Sequence, residues 1–178
     1  ISFEAAATID ETNVISLSSG SLGGKGRGLA FINTLIYSFE LGKLIPGINI
    51  KTPITAIVGT DEFDLFMERN HLWNFVKGEK DFMAVQKTFL AGSLSYTLEK
   101  KLRTFLRHIS RPLAVRSSSL FEDSMSQPFS GIFGTYLLPN NDPDPEVRLR
   151  HLSDAIKLVF ASIYSDEARA YFDAIRYK

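Results

Sequence analysis

The sequence predicts an α/β (α+β) fold, and three features carry that expectation. Short apolar runs bounded by proline, glycine or polar residues, at 53–58, 113–115 and 132–138, read as strands. Between and after them lie longer stretches whose apolar residues recur at spacings of 3 and 4, the period of amphipathic helices. A segment rich in glycine and serine, Ser18 to Gly28, stands immediately before the first of those helical stretches.

Composition narrows the function classes. At 178 residues the chain is long enough for one domain, or two small lobes, with a buried core. Twenty basic and twenty acidic residues cancel, so no global field favours nucleic acid or an anionic membrane. The absence of cysteine removes disulfides, thiolate metal sites and cysteine nucleophiles, and fits a reducing, cytoplasmic location. No apolar run is long enough to span a bilayer, and no signal peptide is visible. The first residue is Ile1 rather than Met, which makes a piece of a longer protein the expectation.

Residues 1–20 are weakly patterned, with one short strand expected around Val14 to Leu17. The glycine-rich segment follows, and then Leu29, Ile32, Ile36 and Phe39 mark one face of a helix ending near Gly42. The glycines therefore sit at a helix N-terminus. Glycine lets backbone N–H groups turn toward an anion, the helix end adds partial positive charge, and Lys25 adds a full one. The pattern is not a Walker A loop, because Ser19 stands where the first glycine belongs and Gly26 where serine or threonine belongs. Nor does it fit GxGxxG, and a flexible loop carrying a solvated lysine is the alternative.

Pro53 to Val58 reads as a buried strand, followed by Thr60 as the N-cap of a short helix with Asp61 and Glu62 in its first turn. Phe63, Phe66 and Met67 are its apolar residues, and Asn70 ends it. His71, His108 and His151 have no close histidine or cysteine neighbour, so no zinc-type cluster is visible in the sequence. Residues 81–109 read as helical with a break near Gly92. Phe82, Val85 and Phe89 form one apolar stripe, and Leu94, Leu98, Leu102, Phe105 and Ile109 form the next. Lys100, Lys101, Arg103 and Arg107 are expected on a solvated face.

The stretch from Pro112 to Pro139 is the centre of the functional reading. Leu113-Ala114-Val115 reads as a buried strand delivering Arg116 and Ser117, Ser118 and Ser119 into a polar loop. Glu122-Asp123 follow, and Ser130-Gly131 open a second β-rich run from Ile132 to Leu138. A guanidinium fork beside hydroxyls and loop N–H groups is suited to phosphate oxygens. The alternative is an ion pair of Arg116 with Glu122 or Asp123 that closes a strand-loop corner. Beyond a proline-rich loop, Asp144 and Pro145 start a helix with Leu152, Ile156, Val159 and Ile163 as its stripe. Ser165 caps a last helix, which carries Ala168, Tyr171, Phe172 and Ile175 on one face.

Taken together, Leu22-Gly23-Gly24-Lys25-Gly26 opening a helix, then Ala114-Val115-Arg116-Ser117-Ser118 with Glu122-Asp123, then Phe129-Ser130-Gly131 and Thr135-Tyr136-Leu137, resemble a known family. The helix from Ala161-Ser162 through Asp166 to Arg169-Ala170-Tyr171 continues the match. The chain is similar to the N-terminal nucleotide-binding region of phosphoenolpyruvate synthase and pyruvate phosphate dikinase. That ATP-grasp-type domain is shared with rifampicin phosphotransferase and glucan water dikinase. The resemblance implies a partial ATP-grasp-like domain, a mixed sheet with flanking helices, of which residues 1–178 are the N-terminal lobe.

It further implies that ATP lies between two lobes and that a phosphoryl group passes to a histidine on a separate domain, then to pyruvate. Lys25 and Arg116 match positions that contact ATP phosphates and are the catalytic candidates. Gly23, Gly24, Gly26, Ser117, Ser118, Gly131 and Thr135 complete the implied nucleotide-binding set, with Glu122 and Asp123 holding Arg116 in place. The acidic ligands of Mg²⁺, the phosphohistidine domain and the pyruvate-binding domain are expected outside this chain, which contributes no metal ligand. The isolated chain is accordingly expected to be inactive. One departure stands out: Ile132, Phe133 and Gly134 occupy positions where the family has polar residues and an acid. That departure favours a rival reading, a non-catalytic nucleotide-sensing or partner-binding module. A third keeps the ATP site and changes the acceptor to a drug hydroxyl or a glucan.

Overall fold

Residues 14–44, 47–119 and 132–176 are described by a computed structural model. The glycine-rich segment joins a short strand, β1 (Val14–Ser16), to the first helix, α1 (Gly23–Ser38). After a 3₁₀ turn at Leu41–Lys43 the chain forms β2 (Thr55–Ile57), which pairs in parallel with β1, Val14 opposite Thr55 and Ser16 opposite Ile57. Four helices follow: α2 (Thr60–Arg69), α3 (Leu72–Gly78), α4 (Phe82–Ala91) and α5 (Tyr96–His108). Then β3 (Leu113–Arg116) pairs antiparallel with β4 (Thr135–Leu138), Leu113 opposite Leu138 and Arg116 opposite Thr135. The chain closes with α6 (Pro145–Ala161), a 3₁₀ turn at Ser162–Tyr164 and α7 (Asp166–Arg176). The mixture of parallel and antiparallel pairing is present, divided among the described residues between two two-stranded sheets.

The helix starts follow the capping residues in the sequence. Asp81, Ser95, Asp144 and Ser165 accept the backbone N–H of Met83, Leu98, Glu146 and Ala168 respectively. Thr60 is the exception. Gly59 occupies the cap position of α2, and the Thr60 hydroxyl instead accepts the Ser21 N–H at 2.9 Å. A side chain at Gly59 would strike the Ser19 carbonyl, so the glycine marks where two loops cross in contact.

The core is assembled on α6, which packs against α4, α5, β3 and β4. Phe66, Met67, Val85, Phe89, Leu98 and Leu102 are all but fully buried, and Leu152 and Ile156 of α6 join them. Rings link the layers: Phe63 meets Phe160 at 5.2 Å between centroids, and Phe66 meets Phe89 at 5.5 Å. The buried line of α6 runs through Leu149, Leu152, Ala155 and Ile156, while Val159 and Ile163 are half-buried, a rotation from the expected stripe.

Polar groups of α6 finish the helices beneath it. Lys157 is buried, and its ammonium donates to the Leu90 carbonyl at 2.9 Å and the Gly92 carbonyl at 3.3 Å, and pairs with Asp154 at 2.8 Å. Arg148 donates to the Leu106 and Ile109 carbonyls at the end of α5, and its Nε donates to Asn140. Each cation meets the unsatisfied carbonyls and the negative end of a helix. Near the start of α5, the buried Glu62 carboxylate accepts both the backbone N–H and the hydroxyl of Ser95, at 2.9 and 2.8 Å.

Three expectations need correction. The α1 stripe is not buried: Ile36 is, but Ile32 and Phe39 are 50% and 67% exposed, because α1 packs chiefly on β1 and the 3₁₀ turn after it. The strand carrying Arg116 alternates between half-buried and exposed, since the β3–β4 pair turns one face, with Leu113, Val115 and Leu138, toward the core. The basic face of α5 is not uniformly solvated. Lys101 donates to the Leu17 carbonyl at 2.6 Å, and Arg103 makes a two-bond fork to Glu146 at 2.9 and 3.0 Å.

That fork yields a pH prediction. The hydrogen bond from Arg103 holds the Glu146 carboxyl below its ordinary value. A depressed carboxylate contributes stability above its unfolded pKa and loses it as pH falls through the folded one. Glu146→Gln is therefore expected to lower the urea midpoint slightly at pH 7, with the gap to wild type closing toward pH 3. A gap that persists unchanged into acid would show that the fork contributes nothing through ionisation. The effect is small because the pair is exposed.

Candidate functional site

The structure brings the two candidate segments together. α1 begins at Gly23, whose φ of +71° lies in the left-handed region and whose Cα faces the Ser118 carbonyl so closely that a Cβ would overlap it. The Gly24 N–H donates to the Ser118 carbonyl at 2.9 Å, and the Gly26 N–H to the Ser118 hydroxyl at 2.8 Å. That hydroxyl in turn donates to the Leu22 carbonyl at 2.7 Å. Segments separated by 92 residues in sequence thus share one joint. Lys25 is half-buried between the two glycines that make it.

The serines before the helix are equally tied down. Ser18 Oγ accepts the Gly59 N–H at 2.7 Å, Thr60 N–H donates to the Ser21 carbonyl at 3.2 Å, and Ser21 Oγ accepts the Gly23 N–H at 3.3 Å. The segment is pinned to the start of α2 rather than hanging from it. Ser21 was not singled out among the sequence candidates. A serine two residues before a glycine, where its hydroxyl can accept that glycine's N–H in a local turn, is the signal that marks it.

Arg116 closes β3 on the open face of the β3–β4 pair and lies directly opposite Thr135. Both are exposed, so the pairing places a guanidinium and a hydroxyl side by side facing solvent. Ser117 turns inward on its own loop, where its hydroxyl accepts the Ser119 N–H at 3.1 Å. Gly131, Glu122 and Asp123 lie outside the described residues, so neither the phosphate-loop role of Gly131 nor the supporting role of the acidic pair is placed.

The departure at Ile132-Phe133-Gly134 has a packing account. Phe133 is buried and, with Ala168, forms a small second core against which Ile132, Ile163, Tyr171 and Phe172 pack. The position anchors α7 to the segment that leads into β4. A Cβ at Gly134 would press on the ring of Tyr136, whose hydroxyl is raised above its ordinary pKa by burial, opposed by a hydrogen bond with Gln86. Tyr136 therefore stays neutral across the physiological range and belongs to the packing on the inner face of the ribbon.

Among the described residues, no three histidine, aspartate or glutamate side chains come together as a metal site. His71 is exposed in a left-handed turn before α3, His108 contacts the Thr104 carbonyl within α5, and His151 is exposed on α6. No helix among the described residues is long and apolar enough to cross a membrane.

What the arrangement supplies is one lysine and one arginine on two segments locked to each other, beside hydroxyls and a helix start, a setting suited to an oligophosphate. The model of one protein family, described as pyruvate phosphate dikinase, AMP/ATP-binding domain, matches residues 19–178. No curated protein and no solved structure matches the chain significantly.

Proposed function

The chain belongs to the pyruvate phosphate dikinase AMP/ATP-binding domain family, and from that premise we propose that Lys25 and Arg116 hold the phosphates of ATP for phosphoryl transfer. The observation that carries this reading is the joint at Ser118, which fixes Lys25 and Arg116 on adjoining segments. Phosphoryl transfer consists mainly of positioning and charge neutralisation, so two fixed cations are the parts such a site needs. Lys25 acts as a point charge at the helix start; Arg116 offers its fork, with Thr135 as a neighbouring hydroxyl. Ser117, Gly23, Gly24 and Gly26 complete the walls of the site, and the phosphate-loop role of Gly131 is part of the same proposal.

In the whole enzyme the phosphoryl group passes to a histidine of another domain and then to pyruvate, forming phosphoenolpyruvate in the cytoplasm. Mg²⁺ would neutralise the oligophosphate, and its acidic ligands are proposed to lie in another part of the protein. The chain by itself does not turn over. Release of ATP phosphate by this chain alone, abolished by Lys25→Ala, would overturn that last statement.

The binding reading is tested by titrating ATP and adenosine against wild type, Lys25→Ala, Arg116→Ala and the double variant. Each charged contact is worth roughly tenfold to a hundredfold in ATP affinity, with adenosine unaffected. A double variant that binds ATP as well as wild type ends the phosphate-site reading. The non-catalytic alternative draws on Ile132-Phe133-Gly134, where Phe133 is packed against α7 and no acid stands. The acceptor, whether pyruvate, a glucan or a drug hydroxyl, is decided by offering each to the whole enzyme with ATP.

A further inference from the structure

We infer that Ser118 is a positioning residue rather than a phosphate ligand: it fastens the first turn of α1 to the exit of β3 and thereby sets Lys25 against Arg116. The inference rests on the phosphate-site reading above and goes beyond it in assigning how the site is held.

A serine hydroxyl has a single proton to donate. In Ser118 that proton goes to the Leu22 carbonyl at 2.7 Å, while the oxygen accepts the Gly26 N–H at 2.8 Å. The Ser118 carbonyl takes the Gly24 N–H at 2.9 Å, and the Gly23 N–H goes to Ser21 Oγ. The N–H groups of Gly23, Gly24 and Gly26 are thus already engaged by the protein. Their glycines serve a different purpose from aiming donors at an anion: at Gly23 and Gly26 the absence of a side chain lets Ser118 approach. Attraction for phosphate then rests on Lys25, on the partial charge of the helix start and on Arg116.

The bonds also bracket the cation. Gly24 and Gly26 flank Lys25, and Ser118 follows Arg116 by two residues, so three hydrogen bonds fix the backbone of both charged residues relative to each other. This matters because α1 packs chiefly on β1 and its own following turn, and presents exposed Phe31 and Ile32 on its outer side. A lightly packed helix placed by one joint is sensitive to that joint.

The test combines amide exchange with nucleotide titration on wild type, Ser118→Ala, Ser118→Thr and the Lys25→Ala versions of each. In wild type the Gly24 and Gly26 amides exchange slowly. Ser118→Ala exposes the Gly26 amide and weakens ATP about tenfold, one to two hydrogen bonds' worth, leaving adenosine unchanged. Ser118→Thr, which keeps the hydroxyl, restores both amide protection and affinity. In the Lys25→Ala background the further loss from Ser118→Ala shrinks to about twofold or less, since the group being positioned is gone.

Three results overturn the inference: a Gly26 amide that exchanges freely in wild type, an unchanged ATP affinity in Ser118→Ala, or a penalty undiminished by Lys25→Ala. A threonine that keeps Gly26 protected yet loses ATP binding also counts against it, and this variant decides the matter if Ser118→Ala does not fold. If Lys25→Ala and Arg116→Ala themselves leave ATP binding unchanged, the phosphate-site reading is what has failed, and the positioning role falls with it.

Discussion

Gly23→Ala is expected to destabilise the protein by about 2 kcal/mol or more and to abolish phosphate-dependent binding of ATP. Two costs add. The residue must keep a φ of +71°, which an L side chain adopts with strain, and its new methyl would occupy the position of the Ser118 carbonyl oxygen. Relief requires backbone to move on one side or the other, and that backbone carries the bonds from Gly24 and Gly26. Gly28→Ala is the matched control. Nothing lies within 4 Å of a Cβ there, the residue is inside α1, and alanine gains up to about 1 kcal/mol of helix propensity. Urea midpoints should therefore move in opposite directions for two glycines five residues apart. Equal shifts would mean that the joint is not formed in solution.

The second large effect lies in the core. Phe66→Ala removes a ring that is fully buried, stacked at a tilt on Phe89 and Phe160, and so close to Gly92 that a Cβ there would come within 2.9 Å of Phe66 Cζ. The lost contacts and the resulting cavity predict destabilisation of about 3–5 kcal/mol. Phe39→Ala, at a ring 67% exposed, should change stability by less than about 0.5 kcal/mol. Equilibrium unfolding of both variants checks the contrast, and a Phe66→Ala loss below that of Phe39→Ala would contradict the packing described.

These two aromatic residues also mark where the sequence was and was not legible. Spacings of 3 and 4 named Val85, Phe89, Leu98 and Leu102 correctly, and the apolar residues of the short helix after Thr60 included Phe66, because each helix carrying them buries one stripe against α6 or its neighbours. The same spacing named Ile32 and Phe39 on α1, and there periodicity misled. A hydrophobic period reports that a helix has an apolar face, whereas burial depends on what is seated against it. Capping was readable at Asp144 and Ser165, since a cap is a local bond, while the caps at Asp81 and Ser95 emerged only in the structure. It failed at Thr60, whose hydroxyl is drawn to Ser21 across 39 residues.

The candidate site followed the same division. That glycines open a helix and that Arg116 ends a strand were local facts, visible in the residues. That Ser118 would close on the glycine turn, and that Thr135 would lie across from Arg116, depends on pairings between distant segments. The burial of Lys157 has no signal in the sequence, because a lysine in an amphipathic helix gives no sign that its ammonium will reach another helix's carbonyls.

That reach has a consequence for synthesis. The carbonyls that end α4 and α5 are completed by Lys157 and Arg148, which lie 67 and 42 residues further along from Leu90 and Leu106. The ends of those two helices therefore stay uncompleted until α6 leaves the ribosome. Before then the apolar stripes of those helices lack the surface that covers them. Folding of this region is a late, collective event, governed by the arrival of one helix rather than by the order in which the others were made.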